Sequence, residues 1–231
     1  MSCSAITKEL ICECVGKQNP TILEIGCNDG GHTLWFLKMF ENPKIYCFEP
    51  DPRPIARFKT KFGQRPNVKL FEMALCDRNG EITFYQSDGH KAEAMLESWD
   101  LSGSIRQPKE HLTANPWVTF EQSITVESAT LDTWCNEHGI EDIDFIWMDV
   151  QGAEIDVFRG GKNAFCKTRF VYTEYSNKEL YKGQHTLKQL LRQLRHFEVL
   201  IRYSNDMLLR NKKFAFAPNK ALQGMLSNSH R

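Results

Sequence analysis

Near the start of the chain, an acidic residue and two glycines follow one another at a spacing that suits the binding of a nucleotide. Residues 21–31 read T-I-L-E-I-G-C-N-D-G-G, with Glu24 two positions before Gly26 and Gly30 four positions after it. Because glycine has no Cβ, a turn framed by Gly26 and Gly30 lets backbone amides approach a ligand closely. We therefore predict a strand, a ligand-binding turn and a helix. The alternative is a turn that only connects a strand to a helix.

The spacing of the glycines distinguishes between two kinds of nucleotide. A dinucleotide fingerprint reads G-x-G-x-x-G and places a pyrophosphate on the helix N-terminus, but the third glycine position does not match here. A carboxylate two residues before the first glycine would repel a pyrophosphate, whereas it suits an ammonium group. The amino acid end of S-adenosylmethionine presents such a group. Glu24 therefore predicts a methyl donor as the ligand.

A second acidic residue stands where the next strand of such a fold would end. Residues 44–48 read K-I-Y-C-F and predict a strand, which Glu49 follows directly, 19 residues beyond Gly30. A carboxylate at the end of the second strand accepts the ribose hydroxyls in Rossmann-like sites. Asp51 immediately precedes a predicted helix over residues 52–62 and suits its N-cap. We predict Glu49 as the ribose ligand and Asp51 as the cap.

The end of the third predicted strand, over residues 67–75, should flank the adenine ring of such a nucleotide. Ala74 and Asp77 are candidates there, through backbone contacts or through the Asp77 carboxylate reaching the adenine amino group. Asp77 also begins the sequence D-R-N-G, which is typical of a turn. A turn role for Asp77 therefore stays open beside the adenine contact.

Three further carboxylates accompany apolar strands later in the chain. Residues 143–150 read I-D-F-I-W-M-D-V and predict a buried strand that contains Asp149 near its end, with Glu154 shortly after it. Glu174 lies near the end of another strand, predicted over residues 169–175. Ligands of a doubly wound sheet bind at the carboxyl ends of its strands. We predict that these acids contact the donor or the acceptor and that Asp149 or Glu174 is the general base. The alternative for Asp149 and Glu154 is that they only charge the first turn of the next helix.

The remaining elements must hold these residues at one edge of a sheet. The other predicted strands cover residues 81–86, 118–126, 197–203 and 207–216, the last two as an antiparallel edge pair. The other predicted helices cover residues 33–40, 130–137, 154–165 and 186–196, with a leading helix within residues 1–18. We expect the polar, irregular residues 87–116 to form a lid or substrate-selecting insertion. Residues 217–231 should form a loose tail.

Composition predicts one globular domain without a large charged surface. The 231 residues suffice for a single α/β domain over 1–231 and are too few for two ordinary domains with a linker. Lys plus Arg and Asp plus Glu are balanced at 29 each, so we expect no nucleic acid partner. No apolar run approaches the length of a membrane span, and the N-terminus is unlike a secretion signal. No C-x-x-C pair occurs among the eight cysteines, and Cys27, Cys47 and Cys76 fall in or beside predicted buried strands. We therefore expect reduced thiols that act as small core residues in a cytoplasmic protein.

The order of several short blocks resembles the FkbM-type class I methyltransferases. These blocks are L-E-I-G-C-N-D-G-G, I-Y-C-F-E-P, A-L-C-D-R-N-G, S-G-S-I, T-L-D-T-W and I-D-F-I-W-M-D-V-Q-G-A-E-I-D-V-F-R-G-G, over roughly residues 20–175. The last block is the most specific, because the family typically shows D-x-E-G-x-E after an apolar strand. The resemblance implies S-adenosylmethionine as cofactor and a Rossmann-like, seven-stranded mixed sheet with helices on both faces. It also implies O-methylation of a sugar or another small molecule.

Carried over position by position, the first cofactor motif of the family corresponds to Glu24, Gly26, Asn28 and Gly30. The resemblance assigns the ribose to Glu49 and the outer acids of the later motif to Asp149 and Glu154. In this chain Glu24 replaces the commoner Asp, which keeps the charge. Gln151 replaces the Glu that is usual in the middle of the later motif. That change removes a charge and disfavours a divalent metal or a base at this position.

Two other functions compete with methyl transfer at the level of the sequence. A nicotinamide-dependent oxidoreductase on a similar sheet conflicts with the missing third glycine and with Glu24. A non-catalytic protein that keeps the fold to bind a partner would not need Gly26, Gly30 and Glu49 intact. The sequence favours an S-adenosylmethionine-dependent methyltransferase over both.

Overall fold

The structure, a computed structural model, describes residues 6–89, 99–218 and 223 of the chain. Within this part the strands form two sheets. The large sheet consists of Thr21–Ile25 (β1), Lys44–Phe48 (β2), Val68–Phe71 (β3), Ile143–Met148 (β7), Thr168–Glu174 (β8), Phe197–Arg202 (β9) and Asp206–Asn211 (β10). The small sheet consists of Ala74–Leu75 (β4), Gly80–Gly89 (β5) and Val118–Ala129 (β6).

The large sheet has the strand order β3-β2-β1-β7-β8-β10-β9 and confirms the predicted seven-stranded mixed α/β fold. Neighbouring strands from β3 to β8 are parallel, whereas β10 runs antiparallel to both β8 and β9. The register aligns Ile25 with Phe48 and Met148, the last residues of β1, β2 and β7. The loops that follow these three strands therefore emerge at the same edge of the sheet.

Helices cover both faces of the large sheet. In the described part they are Lys8–Val15 (α1), Gly31–Met39 (α2), Pro52–Phe62 (α3), His111–Ala114 (α4), Leu131–Glu137 (α5), Glu154–Gly160 (α6), Lys162–Cys166 (α7) and Leu187–Gln193 (α8). Apolar side chains of α1, α2 and α3 pack on one face, and those of α5 to α8 pack on the other. Because β7 lies between these layers at the centre of the sheet, all six of its residues are buried. The helix α1 is the predicted leading helix.

Two predicted elements are divided in the structure. The strand predicted over residues 67–75 ends at Phe71, and β4 leaves the large sheet to pair with the end of β6. The helix predicted over residues 154–165 is split into α6 and α7 at Gly160 and Gly161, two residues with low helix propensity. The small sheet was not predicted. Its strands β5 and β6 form a long antiparallel pair.

The segment predicted as an irregular lid, residues 87–116, contains regular secondary structure at its two ends. Its first three residues belong to β5, and α4 lies near its end. Ser104 exchanges two backbone hydrogen bonds with Tyr85, at 2.8 and 3.1 Å, which joins the segment to β5. Residues 90–98 lie outside the described part of the chain. The tail predicted over residues 217–231 also lies outside it, except at three positions.

The cysteines contribute mainly to the core. Seven of them fall in the described part of the chain, all as free thiols, and five of these are buried. This agrees with the prediction that they act as small core residues. Of the helices described, none has the length and apolar character required to cross a membrane.

Candidate active site

A cavity opens at the edge of the large sheet where β1, β2 and β7 end. It encloses about 630 Å³, including its opening to solvent, and residues of β4, β5 and the segment after residue 99 form its other wall. We call it the first cavity. Five of the predicted site residues line it, namely Gly26, Asn28, Glu49, Ala74 and Asp149. Residues up to 123 positions apart in the sequence therefore meet at one place.

Gly26 allows the loops after β1 and β7 to touch. Its φ is +82°, and a Cβ at this position would lie 1.8 Å from the backbone carbonyl oxygen of Asp149. Immediately beside this contact, the backbone NH of Asp149 donates to the carbonyl of Ile25 at 2.9 Å. Any side chain at position 26 would force these two loops apart, and both loops line the cavity.

Gly30 differs from the prediction, because it is not among the residues that line the cavity. It is the N-cap of α2 and has a φ of +84°. A Cβ there would lie 2.3 Å from the ring of Phe62 and 2.9 Å from the ring of Phe58, both on α3. Glycine is therefore required here so that the start of α2 can pack against α3, rather than for the close approach of a ligand.

Glu49 lies in the wall of the cavity, and backbone groups already orient its carboxylate. Its Oε2 accepts from the NH of Asn28 at 2.9 Å, and its Oε1 accepts from the NH of Asp51, also at 2.9 Å. Burial, helped by the negative charges of Asp51 and Asp100, raises the pKa of Glu49 to about 8. Each carboxylate oxygen can accept a second hydrogen bond. The side chain can therefore accept hydrogen bonds from two neighbouring hydroxyl groups.

Glu24 points away from the first cavity. Side chains alternate along a strand, so Ile25 lines the cavity and Glu24 lies on the opposite face, against α2. Its carboxylate is fully buried, and its Oε2 accepts from the Thr33 hydroxyl at 2.5 Å. Its Oε1 has no hydrogen-bond partner among the residues described, and burial raises the pKa of Glu24 to about 8. A largely neutral acid on the far face does not supply the predicted attraction for an ammonium group.

The wall next to Glu49 is apolar and suits a flat base. Its side chains are those of Phe48, Met73, Leu75, Phe84 and Ile105. Ala74 lies in this wall, whereas Asp77 is exposed and pairs with Arg78 at 3.2 Å. The chain has left the cavity at this point because β4 ends at Leu75. Asp77 thus occupies the turn that the sequence offered as the alternative, and the predicted adenine contact is corrected.

Asp100 is a cavity residue that the sequence analysis did not identify. Its Oδ2 accepts from the Arg57 guanidinium at 2.7 Å, and its Oδ1 accepts from the side-chain amide of Asn28 at 3.3 Å. Asn28 itself has a φ of +46°, in the left-handed region that asparagine adopts more readily than most other residues. Because Asp100 lies 72 positions after Asn28 in the chain, no local sequence pattern predicts this contact.

One hydrogen-bonded group joins four side chains, three of them at the ends of β7 and β8 and the fourth that of Tyr181. The amide nitrogen of Gln151 donates to Asp149 Oδ1 at 2.6 Å and to Glu174 Oε2 at 3.4 Å. The Tyr181 hydroxyl donates to the amide oxygen of Gln151 at 3.1 Å. Asp149 lines the first cavity, whereas Glu174 lines a neighbouring one. The structure thus brings these two predicted carboxylates together through a residue to which the sequence assigned no role.

The two carboxylates differ in protonation. Burial is the main cause that raises the pKa of Asp149, and the hydrogen bond from Gln151 acts against it. The pKa of Glu174 is raised chiefly by the charge of Asp149 and also by burial. Glu174 therefore keeps its proton at pH values at which Asp149 has lost its own. Of the two, Asp149 is the one able to accept a proton.

Glu154 lines neither of these cavities. Its buried carboxylate accepts from the NH of Gly152 at 3.0 Å at the start of α6, and burial raises its pKa to about 7. This is the helix-start position that the sequence offered as the alternative to a catalytic role. In the described part of the chain, His, Cys, Asp and Glu side chains form no cluster suited to a metal ion.

Comparison with known proteins gives a consistent result. Residues 24–200 match the model of the methyltransferase FkbM domain. The chain is 50% identical over 201 residues to the 2-O-methyltransferase NoeI of Sinorhizobium fredii strain NGR234, which covers 85% of this chain and 82% of NoeI. It is 29% identical over 212 residues to the AMB antimetabolite synthetase AmbE of Pseudomonas aeruginosa, a match that spans 81% of this chain and 10% of AmbE.

Among solved structures, fibrillarin from Aeropyrum pernix with natively bound S-adenosyl-L-methionine aligns with a TM-score of 0.41 and 14% identity. The alignment covers 84% of this chain and 66% of fibrillarin. A structural likeness this distant does not support any conclusion about function. The match of the family model over most of the chain, together with the 50% identity to NoeI, is decisive. The chain belongs to the family of methyltransferases with an FkbM domain.

Proposed function

We propose that this enzyme transfers the methyl group of S-adenosylmethionine to a hydroxyl group of a small molecule or sugar. The observation that carries the proposal is the Glu49 carboxylate, held by two backbone NH groups beside an apolar wall. Paired acceptors next to an apolar slot suit the ribose and base of a nucleoside. The identity to a 2-O-methyltransferase supports a hydroxyl oxygen as the acceptor atom.

The cofactor consists of a ribose, an adenine and an amino acid end, and the side chains of the first cavity suit the ribose and the adenine. Glu49 would accept hydrogen bonds from the two ribose hydroxyls, and the apolar wall that includes Phe48 and Met73 would enclose the adenine. The amino acid end would lie along the loop after β1, at Gly26 and Asn28. Because Glu24 faces away, backbone groups of that loop rather than a carboxylate would bind the ammonium group.

When bound, the cofactor supplies a methyl group on a sulfonium, a good leaving group. Asp149 lines the same cavity and would accept the proton of the acceptor hydroxyl, and such general-base assistance contributes about 10²–10⁴-fold. Gln151 keeps the Asp149 carboxylate in place through the 2.6 Å hydrogen bond. Holding both reactants in position can lower the barrier by up to about 7–11 kcal/mol in well-oriented cases.

Isothermal titration calorimetry tests the choice of cofactor. The wild-type protein should bind S-adenosylhomocysteine and should not bind NAD. Binding of NAD alone would instead indicate an oxidoreductase. Binding of neither compound would indicate a protein that keeps the fold without the cofactor.

Two matched substitutions test the base. Asp149→Asn should bind S-adenosylhomocysteine as the wild type does but lose about 10²–10⁴-fold in kcat. Glu174→Gln replaces a carboxyl that is already neutral, and it should retain most of the activity. Transfer of labelled methyl groups to carbohydrate acceptors measures both effects. An Asp149→Asn protein with normal cofactor affinity and full turnover would remove Asp149 from this role.

A further inference from the structure

A buried tyrosine in the connection between β8 and α8 reaches Gln151, 30 positions earlier in the chain. Tyr181 is only 1% exposed, and its hydroxyl donates to the carbonyl of Ser102 at 2.8 Å and to the amide oxygen of Gln151 at 3.1 Å. Burial raises the pKa of Tyr181, so the hydroxyl keeps its proton. We propose that Tyr181 is a positioning residue, which orients Gln151 toward Asp149 and connects this base to the wall of the first cavity. The inference rests on the methyl transfer proposed above.

The surrounding backbone fixes the place of Tyr181. The carbonyl of Leu180 accepts from the NH of Lys109 at 2.8 Å, and the NH of Lys182 donates to a carbonyl of the same neighbouring segment, also at 2.8 Å. A Cβ at Gly152 would lie 2.8 Å from the ring of Tyr181. Glycine at this position therefore leaves the space that the ring occupies, directly beside the residue that its hydroxyl contacts.

The two ends of the Gln151 amide have different partners. Its nitrogen donates to Asp149 Oδ1 at 2.6 Å, and an ionised carboxylate can only accept. In the described part of the chain, the Tyr181 hydroxyl is the one donor to the amide oxygen. An amide that turned over would present its oxygen to the carboxylate and disfavour the ionised form. The hydroxyl thus stabilises the orientation that keeps Asp149 able to accept a proton.

The same hydroxyl connects the base to the segment that forms one wall of the first cavity. Ser102 lies two positions after Asp100, which lines that cavity and accepts from the side-chain amide of Asn28 at 3.3 Å. Asn28 belongs to the loop where the amino acid end of the cofactor would lie. Ser104 adds a second connection, because its hydroxyl donates to the backbone carbonyl of Gln151 at 2.8 Å. The segment beside the cofactor and the residue that orients the base are therefore joined.

Other titratable groups also face Asp149. They are acids on three elements, namely Glu174 on β8, Asp206 on β10 and Glu154 on α6. Negative charges on these groups raise the pKa of Asp149, whereas the hydrogen bonds from Gln151 lower it. Removal of the Tyr181 hydroxyl leaves all three acids in place. A change in the pKa of Asp149 would therefore report on the orientation of the amide.

Conservative substitutions test this role. Tyr181→Phe removes only the hydroxyl, Gln151→Met removes the amide, and the double variant removes both. Tyr175→Phe is the matched control, because this buried tyrosine donates instead to the carbonyl of Tyr203 at 2.7 Å. The dependence of kcat on pH is measured with labelled S-adenosylmethionine and carbohydrate acceptors, both saturating. Calorimetry gives the affinity for S-adenosylhomocysteine, and carbon-13 NMR titration follows the Asp149 carboxyl, which is assigned by its absence in Asp149→Asn.

Tyr181→Phe should move the acid limb of the kcat profile to higher pH, because the pKa of Asp149 rises when the amide can turn over. Within that limb kcat should fall about three- to tenfold, and on the plateau at high pH by less than about twofold, the effect of one hydrogen bond. KM and cofactor affinity should stay near their wild-type values, since Asp100 and Ser104 still hold the wall. Tyr175→Phe should keep the wild-type profile and the wild-type titration of Asp149.

The double variant tests whether Tyr181 acts through Gln151. In the Gln151→Met background, loss of the hydroxyl should add no further change to the profile. A loss in Tyr181→Phe that is equal at every pH, the same additional change in the Gln151→Met background, or an unchanged profile in Gln151→Met would each overturn the proposal. If the wild type does not bind S-adenosylhomocysteine, the proposed function fails, whereas the NMR titration still decides whether Tyr181 controls the pKa of Asp149.

Discussion

Cofactor binding should release a proton from Glu49. In the free protein, burial raises the pKa of this carboxyl to about 8 from an ordinary value of 4.5. Two ribose hydroxyls that both donate to the carboxylate would favour its ionised form. Binding therefore lowers a raised pKa, so affinity should rise with pH and level off above the pKa of the free protein.

The size of the effect follows from the fraction of Glu49 that is ionised. With a pKa of about 8, about 1% of the side chain is ionised at pH 6 and about half at pH 8. If only the ionised form binds the ribose, affinity should increase roughly 50-fold between these pH values. The charges that face Glu49 are those of Asp51, which pairs with Arg53 at 2.6 Å, and of Asp100, which pairs with Arg57 at 2.7 Å.

The assay is calorimetry with S-adenosylhomocysteine between pH 6 and 8.5, in two buffers of different ionisation enthalpy. The wild type should release nearly one proton below pH 7. Glu49→Gln should release no proton, and its affinity for S-adenosylhomocysteine should not change with pH. At pH 8 this affinity should be about 10- to 100-fold weaker than that of the wild type, because hydrogen bonds to a charged group contribute about 1.5–3 kcal/mol. Asp149→Asn controls for a second acid of the cavity whose pKa burial raises, and it should keep the slope. If the affinity of the wild-type protein does not change with pH and no proton is released, an ionised Glu49 does not bind the ribose.

Three further outcomes concern stability. The pKa of Glu24 is raised to about 8 in the folded protein, so the native state binds more protons than the unfolded state and loses stability as pH rises from about 4.5 to 8. Glu24→Gln should remove up to a few kcal/mol of this loss, and calorimetric melting at pH 5 and 8 should show a smaller difference than in the wild type; an equal difference would contradict a neutral, buried Glu24. Gly26→Ala should lower stability by more than 1–3 kcal/mol, the usual cost of backbone strain, and abolish cofactor binding. Gly139→Ala has a similar φ of +63° with nothing within 4 Å of the added Cβ, and equal losses in chemical denaturation would argue against the contact with the Asp149 carbonyl. Asp156→Asn removes the negative charge and replaces one of the two oxygens that accept from Arg106 at 2.9 Å with a donor, and it should cost roughly 3 kcal/mol in urea unfolding, whereas Asp77→Asn at an exposed pair should cost under about 1 kcal/mol; equal costs would show that burial of the first pair is unimportant.

The sequence by itself determined most elements of the large sheet, although the strand predicted over residues 67–75 is divided between the two sheets. Residues 44–48 and 52–62 have the predicted bounds in the structure, because the apolar pattern of the first and the Asp51 cap of the second are local features. The glycine turn after β1 and the acidic residue after β2 were also predicted, from the spacing of Gly26, Gly30 and Glu49. Parallel strands bring their carboxyl ends to one edge, so the placement of Gly26, Glu49 and Asp149 at one cavity followed from local signals.

Only the tertiary structure decided which carboxylates face which surroundings. Strand alternation and the helix packed on each face turn Glu24 away from the cavity, and burial leaves it largely neutral. The partnership of Asp100 with Asn28 and the bridge that Gln151 forms to Glu174 join distant parts of the chain. Such contacts have no local pattern, because they arise from the packing of whole elements. The protonation of a side chain depends on its final neighbours, which the folded chain alone defines.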